Sequence, residues 1–169
     1  MRKLYTLLLV LGLLALAVVP AAAQDDPTIA ELVVASSEAE DAEFTVLLAA
    51  VLAADPFFLE VLSDPNEMLT VFAPTDAAFL ELLDALGMSA DELLAETELL
   101  NEVLAYHVVP SILYAEDVVA LDGVYVGTFL EGTAVSVSVV DGSVFIDDSE
   151  VVVADVEASN GVVHVIDSV

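Results

Sequence analysis

The chain has 169 residues, 59 % of them hydrophobic, no Cys, and 30 acidic against 2 basic residues, for a formal charge of −28. That length suits one ordinary domain after a leading segment, and the missing Cys excludes disulfides and a thiol nucleophile. The scarcity of Lys and Arg excludes phosphate recognition, and with it nucleic acid and anionic membranes as partners.

Arg2 and Lys3 precede an apolar run from Leu4 to Val19, and Ala21-Ala22-Ala23 follows Pro20. A charged start, a short apolar stretch and small residues before a cut have the layout of a secretory signal peptide. The run falls short of the ~20 residues that a membrane span needs. Residues 1–23 are expected to be removed, 24–27 to form a polar leader, and 28–169 to form one domain. The protein is accordingly expected to be secreted, to the cell envelope or beyond. Past residue 23 there are thirty acids and neither Lys nor Arg. Such a chain favours cationic partners and divalent cations.

Thr28 with Glu31 has capping-box spacing and opens a helix. The polar stretch from Ser36 to Glu43 reads as a loop. Phe44, Leu47, Leu48, Val51 and Leu52 recur at helical spacing, and Asp55-Pro56 ends that helix. Phe57 to Leu62 adds a turn or two, closed by Asp64-Pro65-Asn66. Met68 to Ala73 is rich in β-formers and reads as a strand. Thr75 then caps a helix, with Asp76 placing negative charge at its positive end. Phe79, Leu82, Leu83 and Leu86 form the buried stripe of that helix, and Gly87 stops it. Ser89 with Glu92 is another capping box. Thr97 is expected to cap a helix running through Leu100, Val103, Leu104 and His107, stopped by Pro110.

After Tyr114 the period changes. Glu116 to Leu121 reads as one short helix. Val124–Val126, Val135–Val140, Val144–Ile146, Val151–Val156 and Val162–Ile166 read as strands. Val135, Val137 and Val139 alternate with Ser136 and Ser138, so one face is buried and one is wet. Asp141-Gly142 and Asn160-Gly161 are dipeptides that tight hairpins prefer, because both turn positions then take positive φ. Helices first and a mostly antiparallel sheet second, joined by one early strand, argue an α+β fold.

Three boxes stand out of this Ala, Leu, Val and acid background. They are Thr70-Val71-Phe72-Ala73-Pro74-Thr75-Asp76-Ala77-Ala78-Phe79, Tyr106-His107-Val108-Val109-Pro110, and Ala158-Ser159-Asn160-Gly161-Val162-Val163-His164-Val165-Ile166-Asp167-Ser168-Val169. In order, wording and spacing they resemble the fasciclin domain, from about Thr28 to Val169. The resemblance implies a β-wedge of about seven mostly antiparallel strands, packed by N-terminal and central helices. It implies an extracellular adhesion module without a cofactor, whose family motif is Thr75, Asp76, Phe79, Tyr106, His107, Asn160, Gly161 and His164. It further implies that His107 hydrogen-bonds across the fold to Asp76, and that Tyr106 and His107 are candidates for partner contact, since in animal relatives this region is linked to integrin binding. Relatives continue with apolar residues and a Pro after the third box, so the last strand is expected to be slightly short, with its edge pairing open. His164, between two valines, faces opposite to them, either exposed on the sheet or packed at its edge.

Residue types for chemistry are few. Ser159, His107 or His164, and Asp76 are the materials for a hydrolase, but no Gly-x-Ser-x-Gly elbow is present, and no enzyme is expected. Asp141, Asp147, Asp148 and Glu150 flank one hairpin and are the candidate oxygen ligands for Ca²⁺, although the segment does not match an EF-hand loop. The expected function is a secreted, non-enzymatic adhesion or matrix-interaction module that binds a protein or polysaccharide. The alternative is an extracellular binder of a small apolar ligand inside the wedge, which a dominant apolar pocket would favour and a packed interior would exclude.

Overall fold

The computed structural model describes residues 26–38 and 42–169, so the expected signal peptide lies outside the described residues. Three short helices come first: α1 (Ile29–Ser37), α2 (Thr45–Ala53) and α3 (Pro56–Ser63). Then follow β1 (Leu69–Pro74), α4 (Asp76–Leu86), α5 (Ala90–Ala95), α6 (Thr97–Tyr106) and β2 (Val108–Val109). The chain closes with α7 (Ala115–Ala120) and strands β3 (Tyr125–Gly127), β4 (Ala134–Val140), β5 (Ser143–Ile146), β6 (Ser149–Ala158) and β7 (Gly161–Ile166). The fold is α+β, with seven strands in one sheet in the order β2-β1-β7-β6-β5-β4-β3. Among the described residues no single helix is long and apolar enough to cross a membrane.

Local chemistry explains most boundaries. Both capping boxes form, at Thr28/Glu31 and Ser89/Glu92. Asp55 caps α3 by accepting the Phe57 N–H, with Pro56 at the first helical position, where its missing N–H costs nothing. Thr75 accepts the Ala78 N–H at the start of α4, and Gly87 ends that helix in the left-handed region at φ 65°. Thr97 departs from expectation. It is the first residue inside α6, after Glu96, and makes no cap hydrogen bond. Helix α6 also ends before Pro110, because Val108 and Val109 leave it to pair with Val71 and Thr70 of β1. Helix α1 likewise runs on to Ser37, past the expected start of the loop.

Strand β7 pairs with β1 in parallel over its whole length, from Leu69↔Gly161 to Pro74↔Ile166, and with β6 antiparallel on its other side. The expectation of a shortened edge strand is therefore corrected: β7 sits in the middle of the sheet and is paired on both sides. The ends of the sheet approach each other. Phe129, just after β3, donates its N–H to the Val108 carbonyl in β2 at 2.8 Å, and Leu130 donates to Ala105 at 3.1 Å.

Every residue of β1 and of β7 is buried, because both faces of these strands are covered. Leu69, Val71, Ala73 and Val163 face the helical layer, against Ile29, Leu47, Phe58, Phe79, Leu100 and Leu104. Phe72 and Ile166 face a second core with Val118, Val135, Val137 and Ile146. Strand β4 keeps the expected alternation as far as Val137, with Val135 and Val137 buried and the serines partly open, whereas Val139 is only half-buried. Asp141 and Gly142 join β4 to β5 with φ of 52° and 93°, the two left-handed positions of a tight hairpin.

Candidate binding cleft between helix α6 and the β5–β6 turn

The second box ends helix α6 and begins β2, so its side chains lie where the helix meets the sheet. Tyr106 donates its hydroxyl to Asp147 Oδ2 at 2.8 Å. Asp147 lies in the turn between β5 and β6 at φ 54°, and its other oxygen accepts the backbone N–H and the hydroxyl of Ser136, both at 2.9 Å. Three donors on one carboxylate hold it in a single orientation. Burial, this hydrogen bond and the Asp147 charge together push the Tyr106 hydroxyl up to about 12. The phenol is therefore a donor throughout the physiological range.

His107 is the C-cap residue of α6, and its Nδ1 lies 2.7 Å from the Val103 carbonyl. Since a carbonyl only accepts, Nδ1 carries the proton, and in the neutral ring Nε2 is an acceptor with no partner among the described residues. Burial holds His107 below its ordinary value of 6.5, opposed by the Val103 hydrogen bond and by the Asp147 charge. The ring stands edge-on to Tyr106, with centroids 6.0 Å apart.

These groups border a cleft of about 340 Å³. Phe72, Val135, Ile146, Ile166 and Val169 supply its apolar surface, and Asp147, Asp148, Ser149 and Ser168 join Tyr106 and His107 as its polar surface. Of these, Asp147 and Asp148 enter the sequence reading only as cation candidates, and Ser149 is missed. The adjacent pair Asp147-Asp148 between two runs of β-formers was the available signal.

The implied bond between His107 and Asp76 does not form. Asp76 serves another helix: its carboxylate accepts the N–H groups of Thr45 and Val46 and the Thr45 hydroxyl, so it caps α2 from across the chain. Helix α2 needs this because its own cap position, Phe44, has no side-chain acceptor. Phe79 is buried in the helical core, as its stripe position implies.

Asn160 also departs from expectation. It is not in a left-handed turn position but is buried, 1 % exposed. Its Oδ1 accepts the Ile29 N–H at 2.9 Å, and its Nδ2 donates to the Leu62 and Asp64 carbonyls, each at 3.0 Å. One side chain thus ties β7 to the start of α1 and the end of α3. Gly161 is needed for close approach rather than for a turn, since a Cβ there would meet the Leu69 carbonyl oxygen.

His164 is neither exposed nor at an edge. It is 1 % exposed in central strand β7 and stacks on Phe72, with centroids 5.8 Å apart. Its Nδ1 accepts the Asp155 N–H at 3.3 Å, and its Nε2 donates to the Leu113 carbonyl at 2.8 Å. Asp155 occupies a bulge of β6 at φ 57° and accepts the Ala115 N–H, so the same link anchors the start of α7.

The hydrolase materials stay apart. Both nitrogens of His164 are occupied by backbone groups, Asp76 is committed to α2, and no hydrogen bond among the described residues joins Ser159 to a His. The four acids proposed for Ca²⁺ do not converge. Asp141 lies before β5 and Asp147 and Asp148 after it, so the strand separates them. Among the described residues no three His, Asp or Glu side chains are placed to hold a metal ion. Between the helices and the sheet the remaining apolar space is about 20 Å³, far below the ~300 Å³ at which ligand pockets begin. The interface between helices and sheet thus leaves no room for a small apolar ligand, while an apolar groove of about 260 Å³ remains among α1, α2 and α3.

A family profile described as "Fasciclin domain" matches residues 42–169. The chain belongs to the fasciclin domain family. Among curated relatives, Protein sll1483 of Synechocystis sp. is 41 % identical over 154 residues, 90 % of this chain and 78 % of that protein. The pig transforming growth factor-beta-induced protein ig-h3 is 36 % identical over 76 % of this chain and 18 % of its own length. The solved fasciclin domain pair of the insect cell adhesion molecule fasciclin I matches with a TM-score of 0.67 at 18 % identity, over 85 % of this chain and 50 % of that one. None of these names denotes an enzyme. The fasciclin architecture thus accounts for the sheet order and helical layer described above.

Proposed function

We propose that the protein is a secreted, non-enzymatic fasciclin module of adhesion or matrix association, binding an extracellular protein or polysaccharide. In this reading residues 1–23 are a signal peptide and residues 28–169 form the module. The observation that carries it is a fasciclin fold with a packed interior, so that recognition falls to the surface. The solved relative with this fold is an insect cell adhesion molecule. The family motif contributes structure first: Thr75, Asp76, Phe79, Asn160, Gly161 and His164 bond or pack inside the fold. Tyr106 and His107 alone among them open on a cleft and are the motif residues left for partner contact. Divalent cations act here as diffuse counterions to thirty acids rather than at a built site.

The test is retention of cell-envelope and matrix fractions on immobilised folded protein, at low and high salt, against a heat-denatured control. Retention above the control supports the reading. Equal retention on folded and denatured protein overturns it.

A further inference from the structure

The cleft between α6 and the β5–β6 turn is rich in acceptors that nothing in the described structure satisfies. Ser149 is 9 % exposed, and its hydroxyl makes no hydrogen bond among the described residues, yet no sealed, unpaired side-chain atom exists there. The small open part of Ser149 therefore faces the cleft that it lines. His107 is in the same position, with Nδ1 spent on Val103 and Nε2 an acceptor with no partner among the described residues. Asp148 is exposed and also lines the cleft, and its carboxylate has no partner among the described residues. Asp147 beside it keeps one acceptor direction beyond its three bonds. Phe72 and Ile166 make the adjoining surface apolar.

We infer that this cleft receives the side chain of a basic residue, arginine in preference to lysine, presented by an extracellular protein partner. A guanidinium carries five donors and a permanent positive charge on an aliphatic stem. The stem matches the apolar wall, and the head matches an acid, a hydroxyl and an imidazole acceptor among the residues that line the cleft. Beyond residue 3 the sequence holds no Lys or Arg that could fill it. The field of thirty acids draws a cationic partner toward the surface. A neutral sugar fits less well. Sugar rings stack on open aromatic faces, and Phe72 is already stacked on His164, while Tyr106 meets His107 edge-on. This inference rests on the adhesion reading and names the chemistry of the partner.

The experiment is an amide-resolved NMR titration of the purified protein with N-acetyl-arginine amide, with the neutral citrulline analogue as control. The expected result is a saturable response confined to amides near His107, Asp148, Ser149 and Ile166, with citrulline at least tenfold weaker. Asp148→Asn and Ser149→Ala should each weaken binding about fivefold or more, while Glu60→Gln, on the exposed side of α3, leaves it unchanged. A response spread over the whole acidic surface, equally reduced by Glu60→Gln, overturns the inference. So does a neutral oligosaccharide that shifts the same amides at lower concentration. Matrix retention without arginine binding overturns this inference alone, and arginine binding without matrix retention overturns the adhesion reading alone.

Discussion

Gly161 lies so close to Leu69 that a Cβ on it would collide with the Leu69 carbonyl oxygen. That oxygen belongs to the backbone of the paired strand β1 and cannot rotate away. Gly161→Ala is therefore expected to destabilise the protein by about 3 kcal/mol or more, the upper range for overpacking. Urea unfolding checks this. An unchanged midpoint would remove close approach as the reason for glycine.

Asn160 bonds three backbone groups from two helix ends. Asn160→Ala leaves the Ile29 N–H and two carbonyls without that partner, for an expected loss of about 3 kcal/mol. Asn160→Asp restores the acceptor but not the two donors, and should recover only part of the loss. Full recovery with Asp would show that the Leu62 and Asp64 bonds contribute nothing.

Asp76→Ala should cost about 1–2 kcal/mol, the range of a lost helix cap. Because the capped helix is α2 rather than α4, hydrogen exchange should quicken at Thr45 and Val46. Faster exchange confined to the first turn of α4 would contradict the assignment.

His107 gives a pH dependence of known sign. Burial holds the folded ring below 6.5, so the unfolded chain binds the proton first as pH falls. The contribution of His107 to stability is full above pH 6.5 and declines as pH drops below it, levelling off once the folded ring also titrates. His107→Gln should remove that slope between pH 6.5 and the onset of carboxylate titration. An identical slope in the variant would assign it to other groups.

Salt should raise the melting temperature, because thirty acids repel one another with no Lys or Arg beyond residue 3 to offset them. The Debye length shrinks from ~30 Å at 0.01 M to ~3 Å at 1 M. Over that range a rise of ~3 °C or more is expected, the shift that about 1 kcal/mol gives a domain of this size. A flat melting curve would mean that the acids are spaced too widely to interact.

The helix caps at Thr28, Thr75 and Ser89 were legible because capping is decided within four residues. So were β4 and its Asp141-Gly142 hairpin, where alternation and turn chemistry agree. Strand β2 was not legible, since two residues carry no period and exist as a strand only by pairing with β1. Asp76 was placed on the right helix end but given the wrong task, because its partners lie about thirty residues earlier in the chain. Asn160 was rightly read as a turn residue, but its buried role was missed for the same reason. Its three hydrogen bonds reach segments that only the tertiary fold brings near. The cleft was half legible: Tyr106 and His107 stand in a recognisable box, while Asp147 and Ser149 come from a turn that nothing local ties to helix α6.

The parallel pairing of β1 with β7 sets the order in which this fold can be completed. A chain emerging residue by residue has its helices and six strands before the strand that fills the middle of the sheet. Until then β1 and β6 each present an unsatisfied edge to any neighbouring chain. Closing so long a loop is slow. Dense like charge keeps separate chains apart during that interval. The acidity thus acts as a guard on the unfinished molecule, keeping the open slot for its own last strand.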